Sequence, residues 1–143
     1  MAENVFPFIE PNAQEVISLP VLREIAWDFT RDCAIFQNGA PVYVERQEAV
    51  KVWVWKALHT PRFGYEIFTA AYGHDFDKLI GSSWSEELKA AEARQYLTEA
   101  LTACPYIRAV RDIVLTFADC TLTAAFTIES MYDTQNMEVA INV

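Results

Sequence analysis

The apolar and polar positions of the chain change period several times, and each change predicts an element. Between residues 23 and 30, Ile25, Trp27 and Phe29 alternate with Glu24, Ala26 and Asp28, the period of two that marks a strand with one buried face. A second short strand is expected over residues 33–36, then a tight turn at Asn38-Gly39 and a third strand over residues 41–44. The period then shifts. Glu45 and Glu48 supply the acidic start of a helix, and Val50, Val54, Ala57 and Leu58 fall on one of its faces. A strand competes for this stretch, because Val50, Val52 and Val54 are β-branched and alternate with Trp53 and Trp55. Apolar content persisting to Leu58 favours the helix. Val52 and Trp55 then lie away from the Val54 side, and a helix apolar nearly all round is buried on both sides. Their face is expected to look toward a neighbouring subunit.

Thr60-Pro61 ends this helix, since the residue before proline is pushed out of helical conformation. Residues 65–70 read as an aromatic strand, Tyr72-Gly73 as the turn out of it, and residues 75–80 as a short helix stopped by Gly81. The clearest helix spans residues 82–104. Ser83 and Glu86 fit a capping box with Ser85 as a rival cap, Ala90, Ala93, Leu97, Leu101 and Cys104 form one stripe, and Pro105 ends it. Two β-rich runs, residues 107–117 and 121–131, are joined through Ala118-Asp119-Cys120, and residues 137–143 add a strand at an edge. The expectation is one α+β domain over residues 23–143, mostly antiparallel sheet packed against one long and one or two shorter helices. An extended N-terminal arm, residues 1–22, precedes it. The arm has no period and three prolines (Pro7, Pro11, Pro20), yet Val5, Phe6, Phe8, Ile9, Val16, Ile17 and Leu19 make it apolar enough to dock.

Composition narrows the class. The 143 residues are 52% hydrophobic and 22% charged, a single domain by size and unlike a disordered chain. No apolar run approaches the roughly 20 residues of a membrane span, and the N-terminus lacks a signal peptide's basic start and apolar centre. No membrane partner is expected, and the folded chain is placed in the cytoplasm. A net charge of −9 argues against nucleic acid as well. No Lys or Arg follows Arg111, whereas Asp112, Asp119, Glu129, Asp133 and Glu138 do, so the C-terminal part is either a solvated acidic face or one that meets a basic partner.

Candidate chemistry changes the picture little. Cys33, Cys104 and Cys120 are odd in number and widely spaced, which argues for free thiols over a disulfide framework or a zinc site. His59 and His74 have no partner at metal-ligand spacing, and four glycines cannot supply a phosphate-cradling loop. Asp75 and Asp77 point apart on a helix, while Glu45 and Glu48 sit in a first turn that favours the anion, the wrong bias for a general acid. No catalytic residue, metal or cofactor is expected. Arg62, between Pro61 and Phe63, reads either as an interface ion-pair or stacking residue or as a structural arginine bonded to carbonyls at the helix end.

The order of elements carries a resemblance. A helix ending in Leu58-x-Thr60-x-Arg62 is followed by an aromatic stretch leading to Tyr72-Gly73 and by a Leu79-Ile80-Gly81 closure. An amphipathic helix ending near Pro105-x-Ile107 and an antiparallel β tail come next, and Gly39, Ala49, Tyr65 and Ala100 also fit. Over residues 27–128 the chain resembles the small baseplate wedge protein of contractile phage tails, in the branch found in Gram-positive prophages and phage-tail-like particles. Members often carry Glu-Pro-Arg where the long helix meets the sheet. Here Cys104-Pro105-Tyr106 stands in that place, without either charge and without the glutamate that acid catalysis would need.

The resemblance implies a non-enzymatic structural part at the top of a baseplate, assembled in the cytoplasm and carried in the particle. It implies as partners the larger wedge subunits, the tail sheath protein, tube or hub components, and other copies in a six-fold assembly. The expected interface residues are Thr60 and Arg62 at the corner, Trp55 on the helix, Cys104, Pro105 and Tyr106 at the junction, and Met137, Glu138, Val139, Ala140 and Ile141 on an edge strand offered to sheath arms. Two alternatives stay open: a peptidoglycan-degrading hydrolase of lysozyme type, and a small regulatory protein like the bacterial anti-adaptors of similar fold.

Overall fold

A computed structural model describes residues 18–142 of the protein; the expectations for residues 1–17 and Val143 lie outside the described residues. The N-terminal strands are β1 (Arg23–Ile25), β2 (Trp27–Asp28), β3 (Cys33–Ala34), β4 (Phe36–Gln37), β5 (Ala40–Pro41) and β6 (Tyr43–Glu45). They pair as β1 with β6, β2 with β3 and β4 with β5, a stem with two lobes. The three residues between the pairs close a ring of backbone hydrogen bonds. Ala26 N–H donates to the Val42 carbonyl at 2.7 Å, Val42 N–H to Ile35 at 3.0 Å, and Ile35 N–H to Ala26 at 2.9 Å. The continuous strand expected over residues 23–30 is therefore broken at Ala26, where the chain changes partner. Turn chemistry closes the lobes. Asn38 and Gly39 take φ of 52° and 77°, as a two-residue hairpin turn requires, and Asp28 Oδ1 accepts from the N–H groups of Thr30 and Arg31 at 2.9 and 3.0 Å.

Helix α1 (Gln47–Leu58) follows, so helix wins over strand in the contested stretch. After it, residues 65–70 do not form the expected strand. No strand pairs with them, and the segment folds through two turns, Phe68 N–H to Tyr65 O at 3.3 Å and Tyr72 N–H to Thr69 O at 3.0 Å. A period of two shows which residues share a side, not whether a partner strand exists to cover them. A single 3-10 turn (Phe76–Leu79) stands where the short helix was expected, and Gly81 ends it at φ 66°.

Helix α2 (Glu86–Thr102) begins four residues later than expected. The cap is Ser85, not Ser83: its Oγ accepts from Leu88 N–H at 3.2 Å. Ala93, Leu97, Leu101 and Cys104 are buried as the stripe predicts, Ala90 is half-buried at its rim, and Tyr96 and Ala100 widen it. Three long strands complete the fold: β7 (Ile107–Ala118), β8 (Thr121–Ser130) and β9 (Thr134–Asn142), antiparallel in the order β7-β8-β9. Leu122, Ala124, Phe126 and Ile128 of β8 and Met137, Val139 and Ile141 of β9 point into one core with Val50, Val54, Leu58, Phe76, Leu97 and Leu101. Each fully buried leucine contributes about 1.5–3 kcal/mol.

Helix α1 packs against β1 and β6 on one side and against α2 and β9 on another. That arrangement corrects the outward face expected for Val52, while Trp55 is only partly covered. Val52 is 4% exposed, and Trp55 is half-buried against Phe29, at 5.0 Å between rings, and His59, at 4.1 Å. The helix is apolar all round because its own chain covers it on both sides. Among the described residues no helix is long and apolar enough to cross a membrane.

Candidate functional site

The residues singled out from the sequence fall in two places, a corner after α1 and the edge made by β9. At the corner, Thr60 Oγ1 donates to the Lys56 carbonyl at 2.7 Å, the Thr60 carbonyl accepts from His74 N–H at 3.0 Å, and Arg62 N–H donates to the His74 carbonyl at 2.8 Å. This bridge needs Gly73. Its φ is +105°, and a Cβ there would lie 2.7 Å from Thr60 O and 2.9 Å from Arg62 N. The Arg62 side chain braces both ends of the loop: Nε donates to Ala70 O at 2.6 Å and Nη1 meets Asp75 Oδ2 at 3.1 Å. Its guanidinium also lies over the Phe63 ring at 5.3 Å. These bonds make Arg62 a brace within its own chain.

His74 is buried within the corner, and burial pushes its imidazole pKa below the ordinary value, against the opposing pull of Asp77 and Asp75. Its Nδ1 stands 3.2 Å from Phe76 N–H as acceptor, which requires the neutral ring. The braced loop holds out a ridge of apolar side chains, with Ile67 85% and Phe63 74% exposed and Tyr65 and Phe68 beside them. Phe68 contacts Tyr72 at 4.6 Å, and Tyr72 meets Trp53 of α1 edge-on at 5.6 Å. Sequence reasoning missed the ridge by burying these aromatics in a strand. The usable signal was the lack of a second alternating run to pair with it.

The junction residues separate. Cys104 is 1% exposed and burial raises its thiol pKa, so the sulfur sits in the core. Tyr106 is buried too, its hydroxyl donating to the Pro20 carbonyl at 2.7 Å and its ring stacked on Tyr132 at 6.1 Å. Tyr132 in turn accepts from Leu22 N–H at 3.0 Å, so the tyrosine pair fastens the chain entering the domain. Of the three only Pro105 is exposed, lining a shallow cleft with Trp53, Thr69 and Tyr72.

The sheet has two unlike edges. On β7 the register against β8 shifts between Ile107 and Ala109 and again between Arg111 and Val114, with Asp112 at φ 53°. Such bulges interrupt the regular row of backbone groups along a strand. On β9 the register is unbroken from Asn142 opposite Thr121 to Thr134 opposite Glu129, and no described strand pairs with its outer side. Met137, Val139 and Ile141 turn inward, Glu138 and Ala140 outward. Alongside the first half of β9 runs a row of α1 residues one turn apart. Gln47 Nε2 lies 3.5 Å from Gln135 Oε1, and Lys51 and Trp55 continue the row. With Phe29 and residues 136–138 they enclose a groove of about 220 Å³. Trp55 is held there by its indole N–H, which donates to Asp32 Oδ1 at 3.2 Å, and Trp27 donates to the same oxygen at 3.1 Å.

Among the described residues no three His, Cys, Asp or Glu side chains group as metal ligands. Asp75 is committed to Arg62 and Lys78, and Glu45 and Glu48 stand exposed at the surface. Among curated proteins none matches the sequence. A family model described as contractile injection system sheath initiator matches residues 23–133, from β1 through β8.

Proposed function

The chain belongs to the contractile injection system sheath initiator family, and from that premise we propose how its two surfaces work. It is a structural component of a contractile tail, acting in sheath initiation at the baseplate. In the proposed arrangement, the outer edge of β9 accepts an extended arm of the sheath protein as a further antiparallel strand. The apolar ridge at Phe63, Tyr65, Ile67 and Phe68 seats the protein on larger wedge subunits around the tube. The observation that carries this reading is the unbroken register of β9 on β8 with no described strand outside it. Along such an edge, alternate residues direct N–H and C=O outward, ready to pair with an added strand. The bulges of β7 make the opposite edge a poor template. The ridge adds an exposed apolar patch of the kind that marks a protein contact, and the Arg62 brace supports it from behind.

Hydrogen exchange tests the assignment. Outward amides of residues 134–142, open to exchange in the isolated protein, should become protected when the sheath protein of the same particle is added. The double change Phe63→Ser with Ile67→Ser should release the protein from wedge subunits and leave that protection intact. Unchanged exchange across residues 134–142 with sheath protein bound refutes strand addition.

A further inference from the structure

We propose that Lys51 and Glu138 read the register of the incoming strand through opposite charges on the two sides of the β9 edge; this rests on the strand-addition reading above. Backbone pairing alone is indifferent to sequence, and apart from Glu138 the outward positions of β9 are uncharged: Thr134, Asn136, Ala140 and Asn142. A strand laid on β9 could therefore slip along it with little loss unless something marks one position.

The groove supplies the mark. Side chains of an added strand alternate between the two faces of the sheet. The residue opposite Met137 shares the inner face and points toward α1, where Lys51, Phe29 and Trp55 stand. The residue opposite Glu138, its neighbour in sequence, points outward beside the Glu138 carboxylate. An ammonium on one side and a carboxylate on the other select adjacent residues of opposite sign, an acid facing the helix and a base facing out. A slip of one residue moves each charge to the other face and brings one of them against its like, the base against Lys51 or the acid against Glu138.

Lys51 is suited to the task. It is half-buried, its Nζ lies 5.6 Å from the centre of the Phe29 ring, and no described carboxylate comes within 4.0 Å of it. Glu138 likewise has no described basic partner within that distance. Arg31, Lys56, Arg62, Lys78 and Arg111 each stand beside an acid; of the remaining described cations, Lys51 is the one that lines the groove beside β9. The occupant this geometry fits is an extended segment of the sheath protein carrying an acidic residue next to a basic one.

The test uses the full chain with the sheath protein of the same particle, measuring affinity by titration and β9 protection by hydrogen exchange. Lys51→Glu and Glu138→Lys should each weaken binding about tenfold, while Lys51→Arg stays within about twofold. Reversing the acidic residue in the sheath segment that becomes protected should restore binding to Lys51→Glu. If Lys51→Glu loses helix content, Lys51→Gln replaces it and should weaken binding about threefold. Wild-type affinity in both charge variants, with β9 still protected, overturns the register proposal and leaves strand addition standing. Binding without protection of β9 removes both.

Discussion

At the scale of single residues, the corner after α1 depends on Gly73, which cannot be exchanged even for alanine. A side chain at Gly73 would meet backbone atoms of Thr60 and Arg62, which have no free rotation to move aside. Gly73→Ala should therefore cost about 2–4 kcal/mol, combining a left-handed φ with overpacking, and lower the melting temperature by roughly 10 °C. Gly39→Ala, where nothing lies within 4 Å of the added atom, should cost only the backbone penalty of about 1 kcal/mol. Calorimetry on the two variants separates these contributions. His74 makes the corner acid-sensitive. Its pKa is depressed by burial in the folded state, so its contribution to stability is present above the ordinary histidine value of about 6.5. That contribution is lost as pH falls from there through the lower folded value, where the unfolded chain takes up the proton first. Urea unfolding between pH 7.5 and pH 5 should show the decline, and His74→Gln, which keeps an acceptor for Phe76 N–H, should flatten it. Arg62 marks what one position could not reveal in advance. Two roles suited the residue, and the bracing one became visible only with Ala70 and Asp75 within reach of the same guanidinium.

At the scale of elements, the lobe tip carrying Asp32 is fastened to α1 by one carboxylate oxygen shared between two indoles. Those hydrogen bonds, from Trp55 and then Trp27, hold the Asp32 carboxyl below its usual pKa. The site is exposed, so little global stability rests on it. Asp32→Ala should shift the indole N–H resonances of Trp27 and Trp55 and speed their exchange, while the melting temperature moves by less than roughly 3 °C; a large fall would show that the lobe folds together with the core. Elements with one dry and one wet face were legible. Residues 121–130 alternate because the sheet allows nothing else, and Ala93, Leu97 and Leu101 repeat because α2 has one buried side. Elements set by topology were not. The break at Ala26 answers to Ile35 and Val42, and the aromatics of residues 65–70 keep the alternation of a strand without a neighbour to pair with. Ser83 and Ser85 both satisfy a local capping pattern, and the three-dimensional start of α2 decides between them.

For the whole molecule, the two candidate contact regions differ in how far they could be foreseen. The edge strand was visible as a terminal alternating run, because an edge is a property of one segment. The groove beside it was not, because Phe29, Lys51 and Glu138 come from three separated parts of the chain and meet only when α1 lies along β9. The unlike edges of the sheet also bear on how many chains can join it. A protein with two receptive edges would bind further copies of itself at each end and grow into a fibre. In the proposed arrangement, one regular edge and one bulged edge would admit a single foreign strand, with no second regular edge among the described residues from which further copies could continue. A protein so built would act as a primer and leave elongation to the chain that it starts.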